Sequence, residues 1–403
     1  MLLKTNKIYK CLFSFFIVVT IFYPTFIFGT TVSQSQKILF LIQFLFISFV
    51  LFLSKIHLNN IKDVKSVFWP FLILFLISSV NFVIFLSKDV FNYLNSFRYF
   101  FYPMCFMFGF IFSIKVKCQE LYLHALLSFI LFSQVLFVFG QYVYPESYFV
   151  TIFSERHLYD FLGKRVGGSF DWTYILGYFL ITCLGYYVSC FYSDLKKRTS
   201  IVCSLVCIVG VLATQSRTAL ISLVFLLFFS SLIHSKSIRE ILKFLFYVIL
   251  ISIVSLFFSV YFLDLTYVTS TLSTDSINEG VSGLRLTHRS EQISNIIDMS
   301  FMQILVGSPD SYEFTIENAY GHYLFRHGIF GLIIYVFAIL ASIFKFYRSY
   351  NDNRDPIVGM ILFMLLALPL FSMTSSPVDA HKFGAIFWCL FGLGYGRLRN
   401  VKR

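Results

Sequence analysis

The chain has 403 residues, of which 58% are hydrophobic and 13% charged, with a mean hydropathy of +0.79 and a net charge of +12. A soluble domain carries charge on about a quarter of its residues, so a water-soluble globule is excluded. The apolar residues fall in blocks close to the ~20 residues a helix needs to cross ~30 Å of hydrocarbon. Stretches such as 71–85 and 220–229 show no polar face, as a core helix in water would.

In chain order, spans are predicted near 11–29, 38–53, 67–86, 99–114, 121–142, 173–192, 200–214, 218–233, 241–263, 319–344, 357–374 and 383–397. This is an all-α, polytopic membrane protein of about a dozen transmembrane helices, read as one domain over 1–403. The first block follows Lys4, Lys7 and Lys10. It is longer than the apolar core of a secretory signal and lacks a small-residue cleavage site, so it is expected to stay as a span. Cys11, Cys105, Cys183, Cys190, Cys203, Cys207 and Cys389 lie in apolar segments and Cys118 in a short loop, without a C-x-x-C or a His at metal spacing. Neither a disulfide framework nor a structural metal is expected.

With the N-terminus inside, the cytoplasmic segments hold Lys4, Lys7, Lys10, Lys55, Lys62, Lys65, Lys115 and Lys117, then Lys196, Lys197, Arg198, Lys236, Arg239 and Lys243. They end with Lys345, Arg348, Arg354, Arg397, Arg399, Lys402 and Arg403, which makes 21 of the 32 Lys and Arg. The positive charge is therefore mostly the positive-inside bias of a multi-pass membrane protein with both termini cytoplasmic, and no nucleic-acid partner is implied.

The segment 200–233 has 34 residues, about 51 Å as one helix, too long for a single crossing. Basic residues flank it on both sides, so it must cross an even number of times. Thr214-Gln215-Ser216-Arg217 is then an outer turn. Two outer loops are long, 143–172 and 264–318, and the second is expected to carry short amphipathic helices. No internal repeat is seen, which disfavours an inverted-repeat transporter.

The outer cations differ in kind from the inner ones. Arg accounts for 7 of the 11 outside (Arg98, Arg156, Arg165, Arg217, Arg285, Arg289 and Arg326, beside Lys37, Lys88, Lys164 and Lys382) but only 7 of the 21 inside. The guanidinium fork binds phosphate bidentately where Lys is a point charge, so an outer Arg-lined cavity suits a lipid-borne diphosphate.

Each candidate also has a plain structural reading. Arg98 is either a ligand or a helix-end anchor whose charge snorkels. Arg165 precedes Gly167-Gly168, where backbone could approach a ligand. Arg217 sits at a tight turn where an unpaired charge is costly. Arg285 and Arg289 share a face with Gln292 if 282–297 is helical, and an interfacial helix meeting lipid headgroups is the alternative. Asn318, His322 and Arg326 recur every four residues and form one helical stripe, while Glu317 is placed as a helix N-terminal carboxylate.

Thr214-Gln215-Ser216-Arg217-Thr218-Ala219-Leu220 resembles the Thr-x-Ser-Arg-small-small motif of O-antigen polymerases and ligases. Arg165-Val166-Gly167-Gly168-Ser169-Phe170 resembles their Arg-x-x-Gly-x-Phe element. The stretch 284–298 followed by Leu305-Val306-Gly307 resembles their Arg-bearing loop helix and Gly turn. Glu317-Asn318 through Arg326-His327-Gly328-Ile329-Phe330-Gly331-Leu332 resembles the segment ending in Tyr/His-Gly-x-x-Gly. The matches keep family order over 165–332.

The resemblance implies a GT-C-like fold and a metal- and cofactor-independent glycosyltransferase. It implies an undecaprenyl-diphosphate-linked oligosaccharide as substrate, with an extracytoplasmic active site. It further implies that Arg217, with Arg285 or Arg289, binds the donor diphosphate, with Arg165, Arg98, Arg326 and Asn318 as further substrate contacts. Glu317 is the first candidate for the base and His322 the second. Ligases of the family typically carry His at the Glu317 position, so the expected activity is an O-antigen or capsular polysaccharide polymerase, partnered by a chain-length regulator and a flippase. The alternatives are an O-antigen ligase acting on a lipid A core and a flippase for lipid-linked oligosaccharides. A flippase would spread ionisable residues through the depth of its helices, and here the mid-spans are nearly free of charge.

Overall fold

The structure, a computed structural model, describes residues 2–25, 32–54, 65–84, 97–144, 147, 152–153, 166–170, 172–234, 292–309 and 316–401. Its helices are α1 (Leu2–Phe22), α2 (Val32–Leu53), α3 (Lys65–Ile84), α4 (Arg98–Lys115), α5 (Gln119–Val143), α6 (Thr173–Tyr192), α7 (Lys197–Thr214) and α8 (Arg217–His234). They continue with the short α9 (Phe301–Val306), α10 (Ala319–Asn353), α11 (Pro356–Ser372) and α12 (His381–Val401). No strand occurs among the described residues. Seven of the described helices are long and apolar enough to cross a membrane, and α11 is a shorter apolar helix. The architecture is all-helical and multi-pass.

Most predicted spans coincide with these helices to within a few residues. The predicted span 241–263 lies outside the described residues. The first is shifted: α1 starts at Leu2 and ends at Phe22 instead of running to 29, because Pro24 disfavours helix at the residue before it. Of the long loop 264–318, the described part holds helical turns at 292–297 and α9, which leave Ile293, Ile297 and Phe301 exposed, as interfacial helices do.

The core is one contiguous apolar cluster reaching from α1 to α12. Helices in lipid gain little from apolar burial and associate through close packing of small residues. Here α4 and α12 meet at Gly109 and Gly392: a Cβ at either would lie within 2 Å of a carbonyl oxygen on the other helix, Cys389 and Phe106 respectively. This contact fixes where α4 begins relative to the turn before α12.

The helices have two common ends. At one, Arg397 of α12 bridges Glu120 of α5 and Asp355 before α11. At the other stand the starts of α4, α6, α8, α10 and α12. The 34-residue segment is an antiparallel pair. The His234 ring closing α8 stacks on Tyr192, at the end of α6 from which α7 departs, with centroids 3.7 Å apart. The turn at Gln215, with φ +48°, lies at the opposite end, and Thr218 meets Thr374 there at 2.8 Å.

Helix α10 is not the straight span that the sequence suggests. Its 35 residues amount to about 52 Å, and Gly328 (φ 66°, ψ −169°) breaks it. The part after the break is about 37 Å long by helical rise, enough for a tilted crossing. The part before it packs on α9. The crossing is backbone on backbone: a Cβ on Gly328 would lie 2.1 Å from the Leu305 oxygen, and one on Gly307 (φ +93°) would lie 2.3 Å from the Arg326 oxygen. Ser308 N donates to the Phe325 carbonyl at 2.7 Å, and Asn81 of α3 donates to the Val306 carbonyl at 3.1 Å, so a carbonyl freed by the break and one at the end of α9 find partners.

Candidate functional site

Three elements converge beside the Gly328 break: the first turn of α4, the first half of α10, and the 3-10 turn Pro377–Asp379 that leads into α12. From α4 comes Arg98, whose Nη1 lies 4.0 Å from Asp379 Oδ1; the side chains are 20% and 7% exposed. A cation snorkelling to water would not turn inward to a buried carboxylate, so the anchor reading of Arg98 is set aside. The other carboxylate oxygen, Asp379 Oδ2, accepts from Ser376 Oγ at 2.5 Å.

From α10 come His322 and Arg326, one turn apart. Arg326 is 4% exposed. His322 lies within electrostatic range of Asp379, Arg326 and Arg98, and Arg98 lies within range of Tyr99, Tyr102 and Tyr323. The cluster therefore holds two guanidinium groups, one carboxylate, one imidazole and a wall of tyrosines. Among the described residues, His322 Nε2 and Asp379 Oδ1 are buried without a hydrogen-bond partner, Asp379 Oδ1 being the oxygen that faces Arg98.

His327, the residue before the break, is fully buried and fully engaged. Its Nε2 shares a hydrogen bond with Tyr99 OH at 2.5 Å and its Nδ1 with Ser78 Oγ at 3.2 Å. It thereby ties α3 and α4 to α10 at the point where the helix is weakest. Because Tyr99 adjoins Arg98, the same bonds hold the first turn of α4 in place.

Arg217 opens α8 at this same end and is exposed. Its neighbour Thr218 reaches Thr374, five residues before Asp379, so the connection between α11 and α12 links the hairpin turn to the Arg98 cluster. Lys382 is buried at 4% exposure. It donates to the Ser169 carbonyl at 2.8 Å and to Thr25 Oγ1 at 3.3 Å.

Other predicted residues have different places. Asn318 is not on the His322–Arg326 stripe. It is the N-cap of α10, in extended backbone, with its side chain accepting from Gly321 N at 2.6 Å, so its short polar side chain is spent on an orphan amide. Glu317 precedes the cap and is exposed, and its N–H donates to Gln292 Oε1 at 3.2 Å; it is not the capping group. The Gly167-Gly168 pair does not open a ligand approach. Gly168 (φ +61°) is clamped by Gln141, which accepts from its N–H at 2.9 Å and donates to its carbonyl at 2.8 Å. Gln134 accepts from Ser169 N at 3.0 Å and donates to Ser169 Oγ at 2.6 Å. Arg156, Arg165, Arg285 and Arg289 lie outside the described residues.

Beside the cluster, with none of Arg98, His322, Arg326 and Asp379 in its lining, runs an apolar groove of about 490 Å³ between α3 and the lower part of α10. Tyr323, Tyr335 and Val378 line it at the cluster end, Leu74 and Ala338 along its length, and Lys345 at the far end. No protein-family model matches the chain, and no curated protein matches it. The functional reading therefore rests on these residues and their geometry.

Asp379 and His327 are the members that sequence reasoning passed over. Asp379 had a signal: it is an acidic residue in the short polar connection between the last two apolar blocks, and attention to outer cations alone missed their counter-ion. His327 falls off the four-residue stripe, and only the backbone break gives it a role.

Proposed function

We propose that the chain is a polysaccharide polymerase of the bacterial inner membrane. It joins repeat units carried on undecaprenyl diphosphate, outside the cell membrane, into O-antigen or capsular polysaccharide. The observation that carries this reading is the buried gathering of Arg98, Arg326, His322 and Asp379 beside an apolar groove, on the same end of the bundle as Arg217.

The parts suit a lipid diphosphate in turn. The groove offers an apolar trough for an isoprenoid chain, and the guanidinium groups of the neighbouring cluster suit the diphosphate. The described cations also favour the required orientation. Lys10, Lys115, Lys117, Lys196, Lys197, Arg198, Arg348, Arg354, Arg397 and Arg399 lie toward the Arg397 end, and the other end holds Lys37, Arg98, Arg217, Arg326 and Lys382 among the described residues. By the positive-inside rule the Arg397 end is cytoplasmic and the Arg98 end external. With 241–263 as a further crossing, the bundle has twelve spans of the GT-C kind.

The reaction asks little covalent chemistry of the protein. An acceptor hydroxyl oxygen attacks the anomeric carbon of the donor, the bond to the diphosphate oxygen breaks, and the electron pair leaves on the diphosphate. Arginines stabilise that charge as it develops, and a base takes the hydroxyl proton. His322 is the better candidate for this than Glu317, because it stands beside Arg326, Arg98 and Asp379 inside the cluster whereas Glu317 is exposed. Arg165, Arg285 and Arg289 remain further candidates for the diphosphate.

A deletion strain, with its surface glycan resolved on a gel, tests the reading. Single repeat units on the lipid A core or carrier are expected. Complete loss of glycan from the core would instead indicate a ligase, and repeat units held on the cytoplasmic leaflet a flippase.

A further inference from the structure

The apolar groove beside the cluster has two unlike ends. Its α3 lining comes only from the first half of that helix, between Val67 and Leu74. The second half of α3 is held to other elements: Ser78 Oγ meets His327 Nδ1 of α10 at 3.2 Å, and Asn81 reaches the Val306 carbonyl. The two helices therefore meet toward the Arg98 end and part toward the Arg397 end. Behind the gap, Phe71 and Trp388 pack edge to face with centroids 4.7 Å apart, tying α3 to α12. Trp69 and Phe337, lining residues from α3 and α10, are exposed, so the groove faces lipid.

Lys345 marks where the open end leaves the hydrocarbon. No charged residue occurs from Gly328 to Phe344, and Lys345 and Arg348 follow. By helical rise Lys345 lies about 25 Å below the Gly328 break, most of the depth of a bilayer core. Its Nζ sits 3.7 Å from the centre of the Tyr395 ring and donates to Tyr395 OH. Lys345 and Arg348 are both exposed, and neither pairs with an acidic side chain among the described residues. Arg348 is three residues on, on a neighbouring face of α10. Trp69 and Tyr395 supply the aromatic rings that favour a membrane interface. A trough with apolar walls, closed toward the outer end and cationic at its inner mouth, fits a lipid that enters from the inner leaflet with an anionic headgroup. We propose that the inner end of the groove binds an anionic phospholipid of the cytoplasmic leaflet. Its acyl chain lies along Phe71, Ala341 and Phe391, and its phosphate sits at Lys345 with Arg348 at the edge. The outer end, from Tyr335 to Tyr323, is left to the carrier's tail. The site needs the Arg397 end to be cytoplasmic, and it stands whether or not the chain is a polymerase.

Tryptophan quenching tests the site directly. The chain has three tryptophans: Trp69 and Trp388 line the groove, and Trp172 stands just before α6 at the outer end. Full-length protein carrying Trp69→Phe and Trp172→Phe keeps Trp388 as the sole reporter. It is placed in phosphatidylcholine vesicles that contain a rising fraction of lipid brominated on its acyl chains, either phosphatidylglycerol or phosphatidylcholine. Brominated phosphatidylglycerol is expected to half-quench Trp388 at a mole fraction about fivefold lower than brominated phosphatidylcholine, the gain that one lysine near a membrane surface gives. Lys345→Gln is expected to bring the two curves within about twofold of each other. Equal quenching by both lipids in protein that keeps Lys345 means passing bulk lipid only and overturns the site; that comparison does not depend on the charge variant folding. A preference that survives Lys345→Gln, or a Trp388 quenched by neither lipid, overturns it as well. Undecaprenyl diphosphate is then added. Quenching that persists supports the site, whereas its relief gives the inner end to the carrier's tail and overturns the site while supporting the polymerase reading. A deletion strain with unchanged surface glycan would sink the polymerase reading and leave this site standing.

Discussion

The bundle carries a buried polar cluster at each end, and the two are built differently. At the Arg397 end every member is spoken for. Arg397 donates to Asp355 Oδ2 through Nε at 3.0 Å and Nη2 at 2.5 Å, and it also pairs with Glu120. Asp355 Oδ1 caps α11 through Ile357 N at 2.9 Å and Val358 N at 3.1 Å. The Glu120 carbonyl accepts from Tyr186 OH. At the Arg98 end the ion pair is long, 4.0 Å, and among the described residues His322 Nε2 and the same Asp379 Oδ1 are buried without hydrogen bonds. A closed network holds helices together, whereas an open one in a desolvated place is costly unless a ligand completes it. The contrast marks the Arg98 end as the candidate site.

Substitutions can break or sharpen that contrast. The largest effect on activity is expected from His322→Ala, which should slow elongation by about 100-fold or more as a lost general base while protein level in the membrane holds. Chain-length ladders and initial rates on purified protein check this. Arg217→Lys keeps the charge but loses the bidentate fork, and elongation should fall about tenfold or more. Unaltered ladders would remove Arg217 from the site. Arg397→Ala should do the reverse. It leaves two acidic side chains without their shared partner, destabilises the fold by about 3 kcal/mol, and leaves elongation per folded molecule unchanged. Thermal unfolding and specific activity measured on the same preparation separate these outcomes. The smallest effect belongs to Asn318→Ala, which costs the α10 cap about 1 kcal/mol and changes elongation little.

Most of the helical layout could be read from the sequence because a lipid environment leaves few options. Blocks of apolar residues, basic flanks and the length of the 200–233 segment place nearly every described helix, including the paired α7 and α8. What could not be read depends on contacts far apart in the chain. The break at Gly328 exists because Gly307 crosses it, and nothing near Gly328 announces a crossing. Asn318 reads as one of a stripe until its cap bond to Gly321 removes it. Within the candidate site, Arg98, Arg326 and His322 were legible as ionisable groups at span entrances, where charge is expensive. Their gathering around Asp379 was not, because it needs the α4–α12 contact at Gly109 and Gly392.

Direct binding of undecaprenyl diphosphate to the full-length protein in nanodiscs tests the central claim, that the open cluster is the lipid-diphosphate site and the closed one is not. The account predicts saturable binding that prefers diphosphate to monophosphate, is weakened about tenfold or more by Arg326→Gln or Arg217→Gln, and is indifferent to Arg397→Gln. Equal binding by all of these proteins, or loss of binding only in Arg397→Gln, would contradict it.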